Sequence, residues 1–117
     1  DNCQEVMNHF HEHYNDGIFI MTLGEGGSMV IKKGEKLLEI PAFQSQGVID
    51  ETGAGDVYLA IFLYEFFNSD KTWEAVEKAA FLASAAASFL VEKKGPAGFK
   101  EKKKILKRVN RKNYIQI

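Results

Sequence analysis

Apolar and polar positions alternate between two regimes along this chain. Residues 3–15 carry Val6, Phe10 and Tyr14 at i, i+4 and i+8, the spacing of one helix face, and Asp16-Gly17 closes that stretch. Ile18 to Leu23 is a continuous apolar run rich in β-formers, as expected of a strand buried on both faces. Gly24-Glu25-Gly26-Gly27 supplies a turn, and Ser28 to Lys32 reads as the returning strand of a hairpin. A second turn at Lys33–Lys36 leads to a short strand from Leu37 to Ile40, and Val48-Ile49 forms a further extended pair after Pro41. The second half is helical. Val57 to Phe67 is hydrophobic nearly all round, which predicts a helix buried in a larger body. Asn68-Ser69-Asp70 breaks it, and Asp70 or Thr72 can cap a helix from about Trp73 to Val91. That helix holds the small-residue stretch Ala83-Ser84-Ala85-Ala86-Ala87-Ser88, where a backbone or a flat ligand can approach closely. Gly95-Pro96 stops it, and a last helix runs from about Lys100 to Val109. Strands first and helices after, on a buried sheet, predict an α/β layered body.

The segment with most chemistry is Asp50-Glu51-Thr52-Gly53-Ala54-Gly55-Asp56. A glycine-rich loop directly before a long helix leaves several backbone N–H groups unpaired at the helix's positive end, which is an anion site. Glycine at 53 and 55 removes the Cβ atoms that would hold a phosphate away. Asp56 is out of place beside a phosphate unless it takes a proton from a hydroxyl while the N–H groups stabilise a transferring phosphoryl group. The alternative is an acidic residue in the first helical turn, favourable to the helix dipole, after a loop that needs glycine for its shape.

Charge changes the picture in one place. The 117 residues carry 15 Lys/Arg and 16 Asp/Glu, a formal net of −1, with 45% hydrophobic and 26% charged residues, an ordinary globular composition. From Glu92 to Lys112, however, ten Lys/Arg face two Glu, a local net of +8. Ile105, Leu106 and Val109 recur between the charges at helical spacing, so this block reads as the solvated face of a helix with one buried edge. Beyond Phe99 and Tyr114 it lacks the interleaved aromatics that stack bases, and nucleic-acid binding is not expected. No apolar run approaches the ~20 residues of a membrane-spanning helix. The single cysteine, Cys3, has no partner for an internal disulfide and reads as an incidental thiol in a cytoplasmic protein. His9, His11 and His13 include an i, i+4 pair, but no Glu stands at the offset a metalloprotease motif needs, so a solvated helix face is the expectation.

The segment Asp-x-Thr-Gly-Ala-Gly-Asp before an apolar helix resembles the C-terminal signature of the ribokinase-like (PfkB) carbohydrate kinases. Thr22-Leu23-Gly24-Glu25-Gly26-Gly27, after a strand and some thirty residues upstream, resembles that family's Thr-x-Gly nucleotide loop. The closing small-residue helix and Gly95-Pro96 match as well, so the resemblance covers about residues 17 to 100. It implies a ribokinase-like layered α/β fold, with residues 1–117 as the C-terminal, nucleotide-binding part of a kinase domain. The absence of an initiator Met before Asp1 fits a piece of a longer chain.

The resemblance also implies ATP-dependent phosphorylation of a hydroxyl on a sugar, nucleoside or similar small alcohol, with magnesium. Asp56 would be the general base, and the N–H groups of Gly53, Ala54 and Gly55 the anion hole. Thr22 and Gly24 would meet the nucleotide's phosphate side with Gly27 nearby, and Ser84 would border the adenine. A monovalent-cation site, K+ being the candidate ion, would have Asp50 and Thr52 at its edge. Asn2-x-x-Glu5 has the form of the family's magnesium-associated motif. Glu51, Leu59 and Ile61 depart from the family's small residues, and bulk at 59 and 61 would reshape the pocket floor. A homodimer is carried as an option for assembly, and direct in-line transfer is expected because no nucleophile flanks the anion hole. Two alternatives stand beside this reading: a non-catalytic member that uses the cleft for regulation, and a kinase of a vitamin precursor.

Overall fold

The computed structural model describes residues 5–6, 9, 17–32, 34–44, 53–90, 92, 102–112 and 114–115. Strand β1 (Ile18–Thr22) pairs antiparallel with β2 (Ser28–Lys32), in a register running from Ile18↔Lys32 to Thr22↔Ser28. On its other edge β2 pairs antiparallel with β3 (Leu38–Ile40), bringing Ser28 opposite Ile40. The result is a three-stranded sheet in the order β1-β2-β3. Helices follow: α1 (Ala54–Phe67), α2 (Trp73–Leu90) and α3 (Lys102–Arg111). The expected α/β architecture is present, with sheet and hairpin before helices.

Alternation along the strands sorts their side chains onto two faces. Val30 and Ile40, with Ile18, Ile20 and Leu38 beside them, point at the helices and meet Tyr58 and Phe62 of α1 and Val76, Ala79, Ala80 and Ala83 of α2. On the opposite face Met29 and Ile31 pack with Phe19, Met21, Leu23 and Leu37. Here the expectation for β1 needs correcting. Its residues Ile18–Met21 are half-buried and Thr22 is exposed, whereas Ser28–Ile31 of β2 are all buried. The reason is position: among the described residues β1 pairs on one side only, and β2 lies between two neighbours.

Helix α1 starts at Ala54 rather than Val57, because Val57 N–H donates to Gly53 O at 2.9 Å and draws both Ala54 and Gly55 into the first turn. Of its apolar residues Val57, Tyr58 and Phe62 turn inward. Leu59, Leu63, Tyr64 and Phe67 remain 51%, 41%, 64% and 63% exposed, so an all-apolar helix is only half covered among the described residues.

Thr72 is the cap of α2. Its Oγ1 accepts from Ala75 N–H at 3.2 Å and donates to Asp70 Oδ1 at 2.8 Å. The hydrogen bonds that Asp70 Oδ1 accepts from the Thr72 hydroxyl and, at 3.2 Å, from Thr72 N–H hold the exposed Asp70 carboxyl below the usual carboxylate range. Ala79, Ala80, Ala83, Ala85 and Ala86 of α2 are buried, and the helix packs against both α1 and the sheet, which lets the layers approach closely.

A second cluster gathers Phe43, Val57, Leu82, Ala85, Ala86, Leu90 and Ile105, with Val109 and Tyr114 against it. Ile105 and Val109 form the buried edge of α3, but Leu106 lies outside it at 42% exposed. Arg108 fastens the same helix to α2, with its guanidinium 3.5 Å from the Phe89 ring centroid and 2.8 Å from Glu92 Oε2. Both side chains of that ion pair are close to nine-tenths buried, so it is screened less than the exposed Lys102–Glu65 pair.

Candidate functional site

One cavity of about 310 Å³ lies where the β1–β2 turn, the start of α1 and the small-residue stretch of α2 come together. Thr22, Gly24, Glu25 and Gly27 line it from the hairpin, Ala54, Gly55 and Tyr58 from α1, and Ser84, Ala87 and Ser88 from α2. Ala42, Phe43 and Ile115 complete the wall.

The first turn of α1 delivers donors to this cavity. Gly53 is the N-terminal boundary residue, with φ 83° in the left-handed region, and no side chain caps the helix. The N–H groups of Ala54, Gly55 and Asp56 precede the first intrahelical bond, so they have no partner within the helix. Gly55 has open space where a Cβ would stand. The bared end of a helix thus faces the cavity.

Across from it the β1–β2 turn is tied to itself: Leu23 N–H donates to Gly27 O at 2.7 Å, Gly26 N–H to Leu23 O at 3.0 Å and Gly27 N–H to Gly24 O at 3.1 Å. The N–H groups of Gly24 and Glu25 lie outside those bonds. Gly24 sits at φ 58°, a conformation that glycine adopts at low cost. Gly27 answers to a packing demand: a Cβ there would stand 2.0 Å from Ile40 O.

At the helix side of the cavity the hydroxyls are already engaged. Ser84 Oγ donates to Pro41 O at 2.8 Å, fixing α2 to the end of β3. Ser88 Oγ donates to Ala85 O at 2.6 Å and accepts from Arg108 Nη1 at 2.9 Å. Tyr58 Oη and Ser28 Oγ share a hydrogen bond of 2.7 Å in which either can donate. With these groups satisfied, the interior presents Ala42, Phe43, Ala54, Ala87 and Ile115 as apolar wall. The site is therefore donor-rich at one rim and apolar within.

Burial pushes the Tyr58 hydroxyl above its ordinary value of about 10, and the bond to Ser28 offsets this in part. The unfolded chain therefore releases this proton first as pH rises past 10, so the folded state holds more protons there and loses stability with increasing pH. Chemical denaturation followed at pH 8 to 11.5 should show stability falling above about pH 10, with a shallower fall in Tyr58→Phe.

Six of the residues singled out in the sequence, Thr22, Gly24, Gly27, Ala54, Gly55 and Ser84, meet at this one cavity. Gly53 and Asp56 do not line it; Gly53 shapes the helix start and Asp56 is exposed in the first turn, next to Gly55. Ser84 is only 8% exposed and its hydroxyl proton is given to Pro41 O, so it forms wall and has no further proton to donate to a ligand. Of the two bulky departures, Leu59 is exposed and Ile61 is packed between the two helix-side clusters, and neither lines the cavity. Tyr58, Ser88 and Phe43 were missed. Tyr58 carried a signal, standing one helical turn after Ala54 on the same face. Asp50, Thr52, Glu51, Asn2, Cys3, His11 and His13 lie outside the described residues. Among the described residues no group of His, Cys, Asp or Glu is arranged to hold a metal ion, and no helix is long and apolar enough to cross a membrane.

A sequence profile of the pfkB family carbohydrate kinases matches residues 1–103. The chain belongs to this family. It is 43% identical over 76 residues to the nucleoside kinase of Methanocaldococcus jannaschii, covering 65% of this chain and 24% of that protein. The crystal structure of the Methanocaldococcus jannaschii nucleoside kinase, an archaeal member of the ribokinase family, superposes with a TM-score of 0.71 at 36% identity, over 80% of this chain and 30% of that one. Ribokinase of Arabidopsis thaliana, solved with ribose and ATP, gives a TM-score of 0.69 at 31% identity, over 79% of this chain and 28% of that one. A Vibrio cholerae fructokinase shares the fold, with a TM-score of 0.77 at 18% identity, over 90% of this chain and 34% of that one. This pfkB-family chain thus spans about a quarter to a third of the length of these relatives.

Proposed function

We propose that this chain forms the nucleotide-binding part of an ATP-dependent kinase that phosphorylates a hydroxyl of a sugar, a nucleoside or a related small alcohol. The observation that carries this reading is the convergence of the Thr22–Gly24 turn and the Ala54–Gly55 helix start on a single cavity. Two backbone segments rich in unpaired N–H groups suit a phosphate chain, and the apolar interior suits a flat base. The ribokinase of Arabidopsis thaliana, solved with ATP, supports the same ligand class.

In this reading Asp56 accepts the proton of the acceptor hydroxyl as its oxygen bonds to the γ-phosphorus and the bond to ADP breaks. Asp56 is exposed and off the cavity wall, beside Gly55. The N–H groups of Ala54 and Gly55 carry the charge that develops on the transferring group, with Gly53 setting the turn that aims them. Thr22, Gly24 and Gly27 border the phosphates, and Ser84 borders the base. Magnesium bound with the phosphates would neutralise part of their charge. Asp50 and Thr52 remain the proposed edge of a potassium site. The protein acts in the cytoplasm on a small-molecule acceptor, as a monomer or homodimer, without nucleic acid or membrane.

Gly55→Ala tests the anion hole. The added methyl meets no protein atom and Gly55 lacks positive φ, so the fold should tolerate it. It would project into the space proposed for phosphate, and removal of one such interaction typically costs 10²–10³ in turnover. The expected result in the whole protein is a loss of about that size with an unchanged melting temperature. Calorimetric titration with ATP and magnesium should show weaker binding in the same variant. Equal nucleotide affinity in the two proteins would rule this site out.

A further inference from the structure

The two walls of the cavity belong to elements far apart in sequence, and one buried bond ties Tyr58, which lines it from α1, to Ser28, the residue that follows the lining residue Gly27. Tyr58 stands one turn into α1 and lines the cavity together with Ala54 and Gly55. Its hydroxyl reaches across to Ser28 at 2.7 Å, thirty positions earlier in the chain. Ser28 is a fixed anchor. It is 2% exposed, stands opposite Thr22 in the β1–β2 register and opposite Ile40 in the β2–β3 register, and follows Gly27, whose backbone is pressed against Ile40 O. The hydroxyl pair therefore ties the start of α1 to the strand position that faces Thr22, with both groups withdrawn from water.

Geometry gives this bond a specific consequence. A phosphate chain spanning the cavity would contact the Gly24 side and the Ala54–Gly55 side together, so its affinity depends on the width of the gap between them. Hydrophobic packing of Tyr58 and Phe62 against Val30 and Ile40 holds the layers together but has no direction. A short hydrogen bond between buried hydroxyls has direction and length, and either group left alone would be buried without a partner.

We infer that Tyr58, through its bond to Ser28, is a positioning residue that sets the spacing between the Thr22–Gly24 turn and the α1 start for the nucleotide's phosphate chain. The inference rests on the nucleotide reading above and adds to it a determinant of donor affinity that touches neither the acceptor nor the transferred proton.

The test is a double-mutant cycle in the whole protein with Tyr58→Phe, Ser28→Ala and the pair combined. Its readouts are KM for ATP, kcat with both substrates saturating, calorimetric Kd for ATP with magnesium, and the melting temperature. Each single variant should raise KM and Kd for ATP about three- to tenfold, the scale of one hydrogen bond, with kcat within about twofold. The double variant should be no worse than the more damaging single one, because the two hydroxyls act as a unit. Lower melting temperatures with unchanged KM and Kd for ATP would overturn the inference, leaving the bond a matter of stability alone. Additive effects on KM would overturn it too, since the residues would then act separately. If the wild-type protein bound no ATP at all, the nucleotide reading would fall and this inference with it.

Discussion

Asp56→Asn in the whole protein is expected to lower turnover by about 10²–10⁴-fold, the contribution typical of a positioned general base. Asn keeps the shape of the side chain and removes its capacity to take a proton. The residue is exposed in the first turn of α1, so the substitution disturbs no core packing and weakens only a favourable contact with the helix dipole, about 0.3–1 kcal/mol. Affinity for ATP should hold or improve, because a negative charge near the phosphates has gone. Turnover measured with both substrates saturating, beside a calorimetric Kd, separates these effects. Near-normal turnover in Asp56→Asn would reduce the residue to a helix-end carboxylate and overturn its catalytic role. The contrast with Gly55→Ala is informative, since that change weakens phosphate contact and turnover together whereas Asp56→Asn spares the former.

Gly27→Ala is expected to cost about 3 kcal/mol or more, enough to threaten the fold of a protein whose whole stability is about 5–15 kcal/mol. Two effects add. The backbone at Gly27 sits at φ 82°, ψ −138°, a region that residues with a Cβ rarely enter. The new methyl would also meet Ile40 O at 2.0 Å and both Ile40 C and Pro41 Cα at 3.0 Å, all of them backbone atoms that cannot swing aside. A fall in melting temperature of about 10 °C or more, read by circular dichroism, is the expected outcome. Gly24→Ala offers the comparison: it shares a positive φ but meets no atom within 4 Å, so its cost should stay near 1–2 kcal/mol. If Gly27→Ala melted like the wild type and only nucleotide binding suffered, the contact with Ile40 would be wrong.

The difference between these two glycines marks what could be read from the chain and what could not. Both sit in one turn, and in the sequence both look like members of a phosphate loop. Only the return of β3 beside β2 shows that Gly27 is required by the carbonyl of a residue thirteen positions later. The site itself was legible in outline because its donors are backbone groups, and glycines before a helix mark where such groups are bared. The hydroxyl pair of Ser28 and Tyr58 was not, because nothing local in either segment records the other. Burial of the strands failed for a related reason. Ile18–Leu23 is the more apolar run, yet Ser28–Lys32 takes the central place, since pairing on both edges depends on where β3 lands. The helices fared better: i, i+4 periodicity and a cap at Thr72 are local facts, and α2 and α3 lie within about two residues of where the pattern puts them.

The connection from Asn68 to Thr72 has a kinetic meaning. It joins α1 and α2 by a loop short enough to close in well under a microsecond, and contacts between the two helices reward that closure at once. The bonds that bound the cavity, Ser28 to Tyr58 and Ser84 to Pro41, close loops of 30 and 43 residues instead. Entropy delays such long closures until enough local structure exists to offset them. The helical pair is thus expected to form early and the cavity late, and by the same order the cavity is the part expected to open first when the chain fluctuates. A ligand held there would act on the last step of folding, slowing the first step of its reversal.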